Sequence, residues 1–275
     1  MISGRPGGLP LPEVVTAKEA MVKRPIGAPC WMDLLTSDAV RARDFYNEVL
    51  GWSAGEPSEQ FGGYFMFMQD GVPMAGGMQH VADAPGMEGP DQWGVYLSST
   101  DVKATVEKAV ASGGSLRVGP MDIADLGTEA IVADSAGVPV GAWQANQFPG
   151  LAVFDQPGAP VWFRLLTRDY DGAVAFYETV FGWQTRVASD TPQYRSTVLT
   201  AGGEDFAGIA AASDGELAAG EQGRWDVFVK VADVDSAVKG IARLGGTVLR
   251  PAADTPFGRL AEVADPMGAR FNLAG

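Results

Sequence analysis

The chain repeats itself, and an internal repeat limits the fold more than any single motif does. Residues 27–52 read GAPCWMDLLTSDAVRARDFYNEVLGW, and residues 158–183 read GAPVWFRLLTRDYDGAVAFYETVFGW. At an offset of 131, 14 of these 26 positions are identical. A second pair follows in the same order, Trp93–Gly114 (WGVYLSSTDVKATVEKAVASGG) against Trp225–Gly246 (WDVFVKVADVDSAVKGIARLGG). A third sets DSAG at Asp134–Gly137 against DPMG at Asp265–Gly268. The chain therefore reads as a tandem duplication. The expected division is an N-terminal arm over 1–26, a first module over 27–146, a Pro/Gly-bearing linker over 147–157 and a second module over 158–275.

Each copy divides again. Trp31–Thr36 is apolar enough for a strand, and Asp38 stands where a helix N-cap belongs. The helix AVRARDFYNEVL follows, with Val40, Phe45, Val49 and Leu50 as its expected apolar stripe and Gly51 as its stop. The segments YFMFMQ and VPMAGGMQ read as strands. The second half restarts with a strand at Gly94–Ser98, a cap at Asp101 and a helix ending at Gly113–Gly114. Strand, helix and then several strands occur four times, which predicts an α+β chain with mixed sheets.

Composition excludes much chemistry. One His (His80) and one Cys (Cys30) leave no intramolecular disulfide and no Cys/His zinc site. A Ser-His-Asp triad would have to use His80, which sits in the turn-rich GGMQHVADAPG and is expected to be a solvated loop histidine. Cys30 is expected to be a small buried residue. The formal net charge of −14 disfavours nucleic acid and anionic lipid as partners. With no secretory pattern at the start and no apolar run of membrane-spanning length, the sequence predicts a cytoplasmic protein.

The ordered set of strand, Asp, helix ending FYxxVLGW, strand, Asp-Val, helix ending GG and finally Asp-Pro-x-Gly resembles the vicinal oxygen chelate superfamily. That group holds glyoxalase I, bleomycin- and fosfomycin-resistance proteins and extradiol dioxygenases. The resemblance runs from Gly27 to Gly275. It implies four βαβββ units in two tandem modules, with curled mixed sheets enclosing funnel-shaped pockets. Metal-dependent members hold a His or Gln in the first strand, a His opening the strand of the second unit, and a Glu after the DPxG turn. Carried over by position, these fall on Trp31, Gly94 and Gly141 in the first module, and on Trp162, Asp226 and Asn272 in the second. Only Asp226 is a plausible ligand, so no metal and no other cofactor is expected.

Alternate residues of a strand share a face. With Trp31 facing the hollow, Asp33 and Leu35 face it too, while Met32 and Leu34 turn toward the helices. The same rule sets Trp162, Arg164 and Leu166 in the second hollow. Tyr96 and Ser98 belong to the first; Asp226, Phe228, Lys230, Arg270 and Asn272 belong to the second. Trp31 and Trp162 either fill a hollow that has lost its ion or stack on a ligand. Arg164 and Asp226 either brace two half-sheets or bind ligand.

Two functional classes remain. One is a metal-free binder of a small aromatic or oxygenated metabolite, through Trp31, Tyr96, Trp162, Arg164, Lys230, Arg270 and Asn272. The other is a metal-independent isomerase, cyclase or lyase with Asp33 or Asp226 as general base and Arg164 or Lys230 stabilising negative charge. Either could act as a monomer or a homodimer.

Overall fold

The computed structural model describes residues 24–81, 89–201 and 203–275, so most of the expected arm (1–23) lies outside the described residues. Four βαβββ halves are present. The first runs β1 (Pro29–Thr36), α1 (Ala39–Leu50), β2 (Ser53–Ala54), β3 (Phe65–Gln69) and β4 (Val72–Gln79). The second runs β5 (Gln92–Ser98), α2 (Val102–Ala111), β6 (Ser115–Ile123), β7 (Gly127–Ala133) and β8 (Pro139–Ala145). In the second copy β9 (Pro160–Thr167), α3 (Tyr170–Phe181), β10 (Thr185–Thr191), β11 (Tyr194–Ala201) and β12 (Glu204–Ala211) form the third. The last comprises β13 (Gly223–Lys230), α4 (Val234–Arg243), β14 (Thr247–Thr255), β15 (Gly258–Ala264) and β16 (Arg270–Ala274).

Each copy makes one eight-stranded mixed sheet, in the orders β2-β3-β4-β1-β5-β8-β7-β6 and β10-β11-β12-β9-β13-β16-β15-β14. Within a half, the first strand pairs in parallel with the last; the two halves meet where β1 and β5, or β9 and β13, run antiparallel. Caps set the helix limits. Asp38, Asp101, Asp169 and Asp233 each accept the backbone N–H three residues on, and Gly51 and Gly182 end α1 and α3 at φ 72° and 70°. A left-handed φ favours glycine because a Cβ is crowded there.

The stripe of α1 differs from expectation. Val40 is 67% exposed, whereas Ala39, Ala42, Phe45, Tyr46 and Leu50 are buried. The reason is Tyr46, whose ring goes inward and turns the helix with it. Tyr46 packs against Trp52, Phe67, Trp93 and Phe271, the last from the other module.

The modules latch together through exchanged hydrogen bonds. Tyr46 donates its hydroxyl to Asp265 (3.2 Å) and accepts from Trp93 Nε1 (3.0 Å). In the mirror-related contact, Tyr177 donates to Asp134 (3.5 Å) and accepts from Trp225 Nε1 (3.2 Å). The other oxygen of Asp265 holds the DPMG turn by accepting the N–H groups of Met267, Gly268 and Ala269, and Asp134 holds DSAG through Ala136 and Val138. Trp52 Nε1 reaches Gly158 O at 2.7 Å, and Trp183 Nε1 reaches Gly27 O at 2.9 Å. The repeated FY, GW and D-x-x-G motifs are thus the two sides of one interface.

Removing a hydroxyl from this interface leaves a buried indole N–H and a buried carboxylate oxygen short of a partner. Tyr46→Phe and Tyr177→Phe are each expected to lower the unfolding free energy by about 1–3 kcal/mol, read from urea denaturation.

Candidate functional site

Strand alternation places the inner face of the first sheet as the sequence implies. Met32 and Leu34 are fully buried in the helix-side core, while Asp33 and Leu35 are half-buried on the opposite face with Trp31. Three side chains meet around one carboxylate there. Trp31 Nε1 donates to Asp33 Oδ1 at 2.7 Å and to the Tyr64 hydroxyl oxygen at 2.9 Å; the Tyr64 hydroxyl donates to the same Asp33 oxygen at 2.6 Å. Tyr96 and the backbone of Gly76 also hydrogen-bond the carboxyl. Two glycines make this possible. A Cβ at Gly76 would fall 1.8 Å from the Tyr64 hydroxyl and 2.1 Å from Asp33 Oδ1; at Gly141 it would fall 2.1 Å from the Tyr96 ring.

Burial pushes the Asp33 carboxyl up to about 6 in spite of these donors. Sequence reasoning missed two members of the cluster. Tyr64 stands just before β3 and shares a face with Met66, opposite the buried Phe65 and Phe67. Glu129, on β7 opposite Trp143 of β8, is pushed up to about 7 by burial and then by the Asp33 charge. Among the described residues Glu129 makes no hydrogen bond or ion pair. Both were legible as alternation: Tyr64 is two residues from Met66, and Glu129 alternates with buried Ala130 and Val132.

Trp31 is packed rather than displayed. It is 5% exposed, and Phe148 of the linker lies edge-on to it at 4.8 Å, with its carbonyl accepting from Trp143 Nε1. The open part of the face consists of Asp33, Leu35, Met66, Met78, Gly94 and Glu129, all half-buried or exposed.

The second inner face is built differently. Arg164 pairs with Asp226 (2.7 Å), and Arg224 clamps the other Asp226 oxygen at 2.8 Å while reaching Glu262 at 3.2 Å. Arg250 and Arg270 complete the coordination of Glu262. Asp226 is only 4% exposed, and buried charge of this kind persists because it is paired. Asn272 is buried and donates to Val227 O. Trp162 is half-buried over Gly208. Lys230 stands apart from the lattice, at the end of β13, in an ion pair with linker Asp155 (2.7 Å). His80 follows β4 half-buried, its Nε2 3.3 Å from Asp91. Cys30 is buried, and burial raises its thiol well above the usual range.

The donor set does not suit a catalytic ion. Of the carried-over positions, Trp31 presents an N–H already given to Asp33 and Tyr64, and Gly94 and Gly141 have no side chain. Trp162 also lacks a donor pair, Asn272 uses its amide on the backbone, and Asp226 is enclosed by two guanidinium groups. Among the described residues no three His, Cys, Asp or Glu side chains converge as a metal site would require.

The family model described as Glyoxalase/Bleomycin resistance protein/Dioxygenase superfamily matches residues 30–141 and again 159–273. The chain belongs to that superfamily. It is 34% identical over 258 residues to CFP32 of Mycobacterium tuberculosis, named as a candidate glyoxylase, covering 90% of this chain and 94% of that one. It is 33% identical over 263 residues to the anthracycline biosynthesis protein DnrV of Streptomyces peucetius, covering 90% and 92%. Among solved structures, the 2,3-dioxygenase LapB of Pseudomonas sp. KL28 superposes with a TM-score of 0.61 at 13% identity, over 90% of this chain and 92% of that one. The Mn(II)-bound glyoxalase of Novosphingobium aromaticivorans gives 0.60 at 14%, over 90% and 82%. At such identities these two structures speak for the fold alone.

The raised carboxyls carry a stability consequence. A folded-state pKa above the unfolded value means the folded protein holds its proton more tightly, so stability is greatest in acid and falls as pH rises through the folded pKa. For Glu129 that fall ends near pH 7. Glu129→Gln is therefore expected to raise the melting temperature at pH 8 and to leave it unchanged at pH 4, as scanning calorimetry can test.

Proposed function

We propose that this protein binds a small aromatic or oxygenated organic metabolite on the inner face of its first module, without a metal ion. The observation that carries this reading is the Trp31–Asp33–Tyr64 cluster, which stands where metal-dependent relatives in the superfamily hold an ion. Methionine walls are compatible with planar ligands of varied outline, and Asp33, Tyr64 and Tyr96 supply a few fixed polar groups. One relative's name is compatible with an aromatic ligand, since DnrV is named an anthracycline biosynthesis protein and anthracyclines are fused-ring aromatics. In the second module, the ion lattice around Asp226 and Glu262 acts as a brace that engages Arg164 and Arg270, while Asn272 bonds the Val227 carbonyl. The protein works in the cytoplasm, as a monomer or a homodimer.

A second reading follows from one further observation. A buried carboxyl held near pH 6 is suited to proton abstraction at neutral pH, since it is ionised yet basic enough to accept a proton. Asp33 would take a proton from carbon next to a carbonyl, and the Tyr96 and Tyr64 hydroxyls would donate hydrogen bonds to the developing oxyanion. That is the chemistry of a metal-independent isomerase, cyclase or lyase.

Titration with a hydroxyanthraquinone, followed by tryptophan fluorescence, tests the reading. Protein stripped with EDTA is expected to retain full affinity, and Asp33→Asn to lose about tenfold. Loss of binding on metal removal, or an Asp33→Asn protein indistinguishable from the parent, would overturn it. If Asp33→Asn instead keeps affinity and abolishes a measured turnover, the enzymatic reading takes its place.

A further inference from the structure

The duplicated halves provide an internal comparison of charge. In the second module the register pair at the centre of the sheet is Arg164 on β9 opposite Asp226 on β13, and the two form an ion pair. The same register pair in the first module is Asp33 on β1 opposite Gly94 on β5. The strand position that holds the arginine in the second module holds a carboxylate in the first, and the position that holds the carboxylate there is a glycine here. A Cβ built at exposed Gly94 would meet nothing closer than the Asp33 carbonyl, 3.8 Å away, so the space is open. Glu129 adds a second carboxyl, and the only charged neighbour acting on it is Asp33. Every carboxylate on the second inner face has an arginine; neither of these two has any cation among the described residues.

We infer that the ligand of the first module carries a positive charge, and is an arylalkyl amine whose ammonium group lies over Gly94 beside Asp33, on the face that also carries Glu129. The inference rests on the binding reading above and names its ligand class. An ammonium there gives Asp33 an ion pair across the same two strands that Arg164 and Asp226 bridge in the second module, with the signs exchanged. The Tyr64 and Tyr96 rings beside Asp33 add faces that attract a cation. The groups facing Asp33 are Trp31, Tyr64, Tyr96 and the Gly76 N–H, all neutral donors, and Glu129 faces Asp33. A bound cation therefore favours ionisation of both carboxyls, and affinity must rise with pH as they lose their protons.

Isothermal titration with 2-naphthylmethylamine, 2-naphthylmethanol and 2-naphthylacetate separates the possibilities. The amine is expected to bind about tenfold or more tightly than the alcohol at pH 8, and the acetate more weakly than either. Amine affinity should climb between pH 5.5 and 8 with proton release, while that of the alcohol should not. Glu129→Gln should shrink the amine's preference. Gly94→Arg, which places a permanent cation opposite Asp33, should remove it while the fold stays intact by circular dichroism. Equal binding of amine and alcohol, or a preference unchanged in both variants, overturns the inference alone and leaves the binding reading in place. Failure of all three probes together with the hydroxyanthraquinone overturns both.

Discussion

The fold depends on an exchange of hydrogen bonds between the modules. A tyrosine on the first helix of each copy donates to the aspartate that shapes the last turn of the other. Both partners are deeply buried, and burial raises the aspartates and the tyrosines above their ordinary pKa values. Each aspartate uses one oxygen to fix a turn at the end of a sheet and the other to receive a helix from across the interface. Neither sheet therefore completes its helix-side core without the other copy, as the packing of Phe45 and Tyr46 on Phe271 also shows.

With the helix side fixed, the inner faces are free to differ, and they do. The second spends four arginines on Asp226 and Glu262, a lattice that costs desolvation and returns a rigid arrangement. The first gathers indole and phenol donors on Asp33 and leaves Glu129 unmatched. One glycine distinguishes them as well, since Gly141 has Asn272 as its counterpart whereas Gly76 is matched by Gly208. Gly76 leaves room for the Tyr64 hydroxyl and Asp33, and Gly141 for the Tyr96 ring.

Much of this was legible in the sequence. The helix limits followed from Asp38 and Asp101 as caps and Gly51 as a stop, and the faces of β1 followed from simple alternation. The Arg164–Asp226 pair was one of two open readings, and the ion pair formed. What was hidden was long-range. Nothing local to FYNEVL says that Tyr46 bonds to Asp265, 219 residues away, so the helix face was drawn through Val40 instead. Alternation puts Tyr64 and Glu129 on an inner face, but that this face is the one Asp33 shares depends on how the strands pair and bulge, which is not local information. Lys230 pairs with Asp155, and that contact depends on where the linker passes.

The reciprocal latch has a consequence for how such a chain came to exist. A lone module would leave its tyrosine, its turn aspartate and its Trp–carbonyl contact unmet, and would satisfy them only against a second molecule of itself. Joining two such molecules end to end preserves every one of those contacts while releasing each half from the requirement to be identical. Symmetry is then enforced only along the seam, and the far sides can diverge separately, one into an arginine–carboxylate lattice and the other into neutral donors gathered on a single carboxylate.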